Sequence, residues 1–297
     1  MFRYPVSHRF LRAIKLAMKT ILTPQGRFTR SGSTAFTLVE LLTVIAIIAI
    51  LASMVLAVMA NMKKQARKVQ AKIQANDIAN AIQAYDSAYG HFPISSGVQT
   101  IAGTGDFTYG GAVFTSAIAN GTLPASDSIY TANNSEVIAI LMDITNYPSQ
   151  YATPPYGPTA NMNHEKNSKQ IGFLNAKLSG WEPGHGGASV PGVGNDLVYR
   201  DPWGNPYIIS LDLNYDGHCQ DAFYSLDSVS QNPPGAFVPT GYNGLNNQNL
   251  TPATQAQKDS FQFHGTVMVW SAGPDGKITS STAATTDVNK DNILTWQ

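Results

Sequence analysis

Residues 33–59 read STAFTLVELLTVIAIIAILASMVLAVM, an apolar run interrupted by one charged residue, Glu40. From Phe36 to Met62 the chain has 27 residues and only that charge. A helix of this length reaches about 40 Å, more than the roughly 30 Å hydrocarbon core of a bilayer. The stretch therefore predicts one membrane-crossing helix. It is too long for the apolar region of an ordinary secretory signal, which runs to about 7–15 residues. A plain anchor leaves Glu40 unexplained, because a carboxylate deep in a bilayer costs on the order of 3 kcal/mol and calls for a partner.

Outward from this run the charge is polarised. The 297-residue chain is formally neutral, yet twelve of its nineteen Lys and Arg precede residue 73, where Glu40 is the sole acid. The remainder carries seven basic and eighteen acidic residues, a formal charge of −11. Such a tail repels phosphate, so general nucleic-acid binding is not expected of it. Arg3, Arg9, Arg12, Lys15, Lys19, Arg27 and Arg30 form a basic flank before the apolar run, which predicts a cytoplasmic N-terminus and an exported tail. Lys63, Lys64, Arg67, Lys68 and Lys72 on the far side nearly balance that bias. Cys219 is the only cysteine and permits no intrachain disulfide.

AFTLVELL followed by the apolar run resembles the type III signal of type IV prepilins and type II secretion pseudopilins. The resemblance implies that a prepilin peptidase cuts between Ala35 and Phe36 and methylates the new amino terminus. Glu40 is then the fifth mature residue, and its partner is the Phe36 ammonium of a neighbouring subunit, two costly buried groups offsetting each other. Ala35 stands where the family usually has Gly. Ala57 stands where many members carry a helix-loosening Pro.

The helical pattern continues past the membrane. NMKKQARKVQAKIQANDIANAIQAYDSAYGHFP places Val69, Ile73, Ile78, Ile82 and Tyr85 near helical period, and Gly90 and Pro93 supply the stop. This amphipathic continuation is expected to lie against a globular domain. Further on, SEVIAILMDIT at 135–145 predicts a helix with Ser135 as N-cap. YIISL, after VYRDPWGNP, has strand character. DPWGNPY resembles the signature of the major, G-type pseudopilin. There Asp201, Pro202, Trp203, Gly204, Asn205 and Pro206 make a structural turn at the start of a small antiparallel sheet, with Trp203 packed across it. SAGPDG at 271–276 and the closing DNILTW resemble the family's C-terminal end.

Two acidic stretches suit calcium, which takes six to eight oxygen ligands. The resemblance implies a calcium-binding C-terminal loop, and Asp275, Asp287, Asn289 and Asp291 are its candidate ligands here. In DLNYDGHCQD, Asp212, Asn214, Asp216 and Gly217 match the start of an EF-hand loop. Its twelfth position is Phe223, and Asp221 is the candidate substitute ligand. The first stretch has a structural alternative in Asx turns, and the second in a plain polar hairpin loop. The histidines at 8, 91, 164, 185, 218 and 264 form no zinc-spaced pair, and HExxH and GxSxG are missing, so no enzyme is expected.

Together these readings give an α+β, type IV pilin-like fold, a long N-terminal helix packed by its C-terminal half on a small antiparallel sheet. Residues 1–35 are a cleaved cytoplasmic leader, 36–62 a transmembrane and filament-core helix, and 63–92 its amphipathic continuation. Residues 93–297 are an exported globular domain with a long insertion at about 94–197. The expected function is a subunit of a periplasmic pseudopilus in type II secretion, anchored in the bacterial inner membrane before assembly. The expected partners are other copies of the chain, prepilin peptidase, other pseudopilins and the inner-membrane assembly proteins of secretion. A type IV pilin or minor pilin, in adhesion, motility or DNA uptake, is the alternative within the class. A monomeric membrane-tethered binding module using Tyr and Trp as a ligand surface is the alternative outside it.

Overall fold

The computed structural model describes residues 36–120, 132–148, 157–181 and 189–296. The expected leader, Ala35 included, lies outside them. The chain divides into two compact units, residues 1–58 and 59–297. Helix α1 (Leu38–Tyr89) is 52 residues long. Its N-terminal stretch is long and apolar enough to cross a membrane, with a mean hydropathy of 3.0 in its most apolar window. In the first unit the large apolar side chains from Leu38 to Leu56 are exposed, Ile45 and Ile48 among them. That is the surface a lipid-facing or helix-facing stem requires.

In the second unit α1 presents a narrow buried face. Ala71, Ala75, Ile78, Ala81, Ile82 and Tyr85 are buried, each three or four residues from another of the set as one helical stripe requires. Val69 and Ile73, expected on that stripe, are 58% and 54% exposed. Alanines take their place because small side chains let the helix backbone approach the domain closely. Tyr207 Oη, for example, reaches the Ala71 carbonyl and Gln74 Oε1. The helix ends at Tyr89, and Gly90, with φ of +73°, supplies the left-handed residue that terminates it.

The second unit is built on a four-stranded antiparallel sheet in the order β1-β4-β8-β9, from strands β1 (Phe107–Tyr109), β4 (Ile208–Leu211), β8 (Val267–Ser271) and β9 (Ile293–Leu294). Ile209 pairs with Val269 and Leu211 with Val267, and these side chains join Ile78, Ile82 and Tyr85 of α1 in one core. The alternate residues, Ile208, Met268 and Trp270, face a second core with Phe114, Phe223 and Phe261. Both faces are thus covered, which is why YIISL and VMVW read as unbroken apolar runs.

The segment expected as an insertion is part of this architecture. Helix α2 (Ser96–Ala102) and β1 precede α3 (Gly111–Ala119), and β1 supplies an edge of the main sheet. Helix α4 (Ser135–Leu141) is buried at Val137, Ile138, Ala139, Ile140 and Leu141, so the core closes around it. Ser135 is its first residue, not its N-cap. Asn134 holds the cap position, and its side chain instead binds the Tyr199 and Tyr207 backbones. The helix stops at Leu141, ahead of Asp143 with φ of +57°.

The remaining strands, β2 (Gly192–Val193), β3 (Tyr199–Arg200), β5 (His218–Cys219), β6 (Asn246–Asn247) and β7 (Phe261–His264), make a β2-β3 hairpin and a three-stranded sheet ordered β5-β7-β6. Cys219 is fully buried, and burial pushes its thiol well above the ordinary range. The architecture is the α+β arrangement expected, a long apolar N-terminal helix followed by a region of small antiparallel sheets.

Candidate functional site

The start of α1 is a capping box. The Thr37 hydroxyl oxygen accepts the Glu40 N–H at 3.2 Å, and Glu40 Oε2 accepts the Thr37 N–H at 2.9 Å. The Thr37 hydroxyl also donates to Oε2 at 2.8 Å. Two amides that a helix N-terminus leaves unpaired are thereby satisfied within the chain. The acid also sits in the first turn, where the helix dipole favours a negative charge. Sequence reasoning treated Glu40 only as half of an intersubunit pair. The missed signal was the T-x-x-E spacing immediately before the apolar run, the sequence form of a capping box. Oε1 carries no hydrogen bond among the described residues. Phe36 is 79% exposed, and the peptide bond expected to be cut, at Ala35, lies outside the described residues.

The DPWGNP turn and the C-terminal SAGPDG segment, 65 or more residues apart in sequence, form one polar cluster. Asp201 is fully buried and accepts the N–H groups of Trp203 and Asn205 at 2.8 and 2.9 Å. It also accepts the Ser271 hydroxyl. Burial pushes the Asp201 carboxyl up, and these hydrogen bonds oppose the shift. Asn205 Nδ2 donates to the Gly273 carbonyl at 2.8 Å. Gly273 has φ of +67°, and a Cβ there would collide with the Asp291 backbone, so the third residue of SAGPDG must be glycine. These hydrogen bonds tie the DPWGNP turn to the C-terminal segment. Trp203, however, is only partly buried and joins neither core. The indole across the sheet is that of Trp270, fully buried and stacked on Phe223.

The C-terminal loop does not gather the four expected calcium ligands. Asp275 Oδ1 accepts the Lys277 N–H, and Asp287 is an exposed residue with φ of +49°. The Asn289 side chain, 1% exposed, is fully used inside the loop, on Thr279 and Thr282. Asp275 and Asp291 do lie close enough to influence each other. Burial first, then Asp275, raises the Asp291 carboxyl, while Lys68 and Lys64 of α1 lower it. Asp291 Oδ1 is buried without a hydrogen-bond partner.

In the DLNYDG loop, Asp212 Oδ1 and Oδ2 accept the N–H groups of Asp216 and Gly217. Asn214 Oδ1 also accepts the Asp216 N–H, and Asp216 Oδ1 the His218 N–H. Asp221 is not part of this loop. It is fully buried beneath the sheet, accepting from Ser210 Oγ, Trp270 Nε1 and the N–H groups of Phe223 and Tyr224. The acid that does approach is Asp106, just before β1, which sequence reasoning missed because it lies over a hundred residues away. Burial, reinforced by Asp212 and Asp216, pushes its carboxyl up to about 7. Among the described residues no three His, Cys, Asp or Glu side chains converge so as to hold a metal ion.

Residues 30–56 match the family model described as the prokaryotic N-terminal methylation motif. No curated protein and no solved structure matches the chain. The match spans the expected cleavage point, the capping box and most of the apolar run, so the chain carries a type IV pilin-like prepilin signal. It does not extend to the DPWGNP turn or the C-terminal loop.

Proposed function

We propose that this chain is a structural subunit of a pseudopilus, made as a prepilin, cut before Phe36, methylated there and polymerised through its helical stem to serve type II secretion. The observation that carries this reading is Glu40. Its Oε2 is held in the capping box while Oε1 has no hydrogen bond among the described residues. That oxygen is the acceptor through which a methylated ammonium of a second copy would enter the stem bundle. The pair would be made where neither charge survives alone cheaply. The exposed apolar side chains between Leu38 and Leu56 provide the packing surface. The DPWGNP turn and the SAGPDG segment, held together around Asp201, and the DNILTW ending favour the major pseudopilin over a pilin. On this reading the chain's partners are its own copies, prepilin peptidase and the inner-membrane secretion assembly. It performs no catalysis.

The test is a paired one. Mass analysis of the N-terminus in cells with active prepilin peptidase is expected to show a methylated Phe36; an intact Met1 start would overturn the filament reading. Glu40→Gln is expected to insert and be cut but to give at least tenfold fewer filaments. Exoproteins are expected to accumulate unsecreted in a deletion strain, and normal secretion there would favour a pilus instead.

A further inference from the structure

The C-terminal loop between β8 and β9 runs from Ala272 to Asn292 and needs something at its centre to hold it. At that centre lies the Asn289 carboxamide. Nδ2 donates to the Thr279 carbonyl at 2.8 Å and the Thr282 carbonyl at 2.9 Å, with the Thr282 hydroxyl at 3.4 Å. Oδ1 accepts the Thr279 N–H at 3.0 Å. The orientation of the amide is set by these partners, since a flip would turn Oδ1 towards two carbonyl oxygens and Nδ2 towards an N–H. Three oxygens from the one stretch Thr279 to Thr282 therefore converge on one NH2 group. Oxygens so gathered are what a hard cation collects. The carboxylates that would have to neutralise such an ion are elsewhere: Asp275 takes the Lys277 N–H, Asp287 is exposed, and Asp291 faces Lys64 and Lys68 of α1.

We propose that the Asn289 carboxamide occupies the cation position of this loop, so that the loop is stapled by an amide and needs no calcium. A neutral NH2 satisfies two carbonyls without requiring three or four anionic ligands around it. Of the loop's acids, Asp291 is the one on which the Lys68 and Lys64 ammoniums act, opposing the effects of burial and of Asp275. The inference rests on the loop's own geometry and stands or falls separately from the filament reading.

Thermal unfolding of the detergent-solubilised full chain, followed by tryptophan fluorescence, tests it. Trp270 and Trp296 flank the loop in sequence. The midpoint is expected to be the same in millimolar calcium and in excess chelator, both in the natural chain and in Asp212→Asn, which silences the other acidic loop. Asn289→Asp, which removes the NH2 and sets a carboxylate against two carbonyls, is expected to lower the midpoint by roughly 5–10 °C. A chelator-induced fall that persists in Asp212→Asn and disappears in Asp291→Asn would overturn the proposal, as would an Asn289→Asp chain that melts like the natural one. Should Asn289→Asp not fold, calorimetric calcium titration of Asp212→Asn decides the matter: heat of binding that Asp291→Asn abolishes refutes it, and its absence supports it.

Discussion

Three acids with similar sequence surroundings have different fates, and each fate follows from what stands within about 3 Å. Asp221 is fully buried but has four donors, so its charge is accommodated by hydrogen bonds although burial pushes the carboxyl up. Asp212 is held by its own loop's amides. Asp106 accepts the Gln220 N–H on Oδ2 while Oδ1 is buried without a partner, and Asp212 and Asp216 add repulsion. Its folded pKa of about 7 lies above the ordinary carboxylate value. Between roughly pH 4 and 7 the folded chain therefore binds the extra proton, and the stability this confers is lost as pH rises through that window. Asp106→Asn is expected to remove that loss and to make the second unit more stable than the natural chain at pH 8, measured by denaturant midpoints at pH 5 and 8. Glu40 was legible as an anomaly because a lone charge in an apolar run is visible in one dimension. Asp106 was not, because its neighbours are brought to it only by β1 pairing with β4.

At the level of elements, α1 shows where periodicity informs and where it misleads. The stop at Gly90 follows from local chemistry and is readable, whereas the start, two residues beyond the Phe36 that the resemblance selects, is set by the Thr37 and Glu40 cap. The buried stripe was misplaced at its N-terminal end, since a search for large apolar residues selects Val69 and Ile73 and passes over Ala71 and Ala75. Close approach of a helix to a domain favours the small side chain, and hydrophobicity alone does not encode that. Ile78→Ala is accordingly expected to cost about 2–5 kcal/mol. Ile73→Ala, on the exposed side, is expected to stay within about 0.5 kcal/mol. Equal losses in urea unfolding would place the stripe wrongly. The cap of α4 differs by one residue for a related reason: Asn134 and Ser135 are both good caps in isolation, and the Asn134 side chain is taken up by the Tyr199 and Tyr207 backbones.

For the molecule as a whole, the methylation signal, the single apolar span and the α+β class were accessible in sequence, because each rests on composition or short-range spacing. The role of residues 94–197 was not. A Gly-, Ser- and Asn-rich segment reads as an appendage, yet it provides an edge strand of the main sheet and the helix around which the core closes. Excision of 94–197 is therefore expected to leave no protease-resistant product, whereas an appendage would be dispensable; trypsin digestion of the shortened chain distinguishes the two. Cys219, on the edge strand β5, is sealed in the second core, with its thiol driven towards the neutral form. While folded, the chain thus behaves towards sulfhydryl reagents as if it had no cysteine at all. A single thiol engineered onto the exposed surface of α1, at Val69 for instance, would be the one addressable point for cross-linking a neighbour, with no background to subtract and no native cysteine to remove.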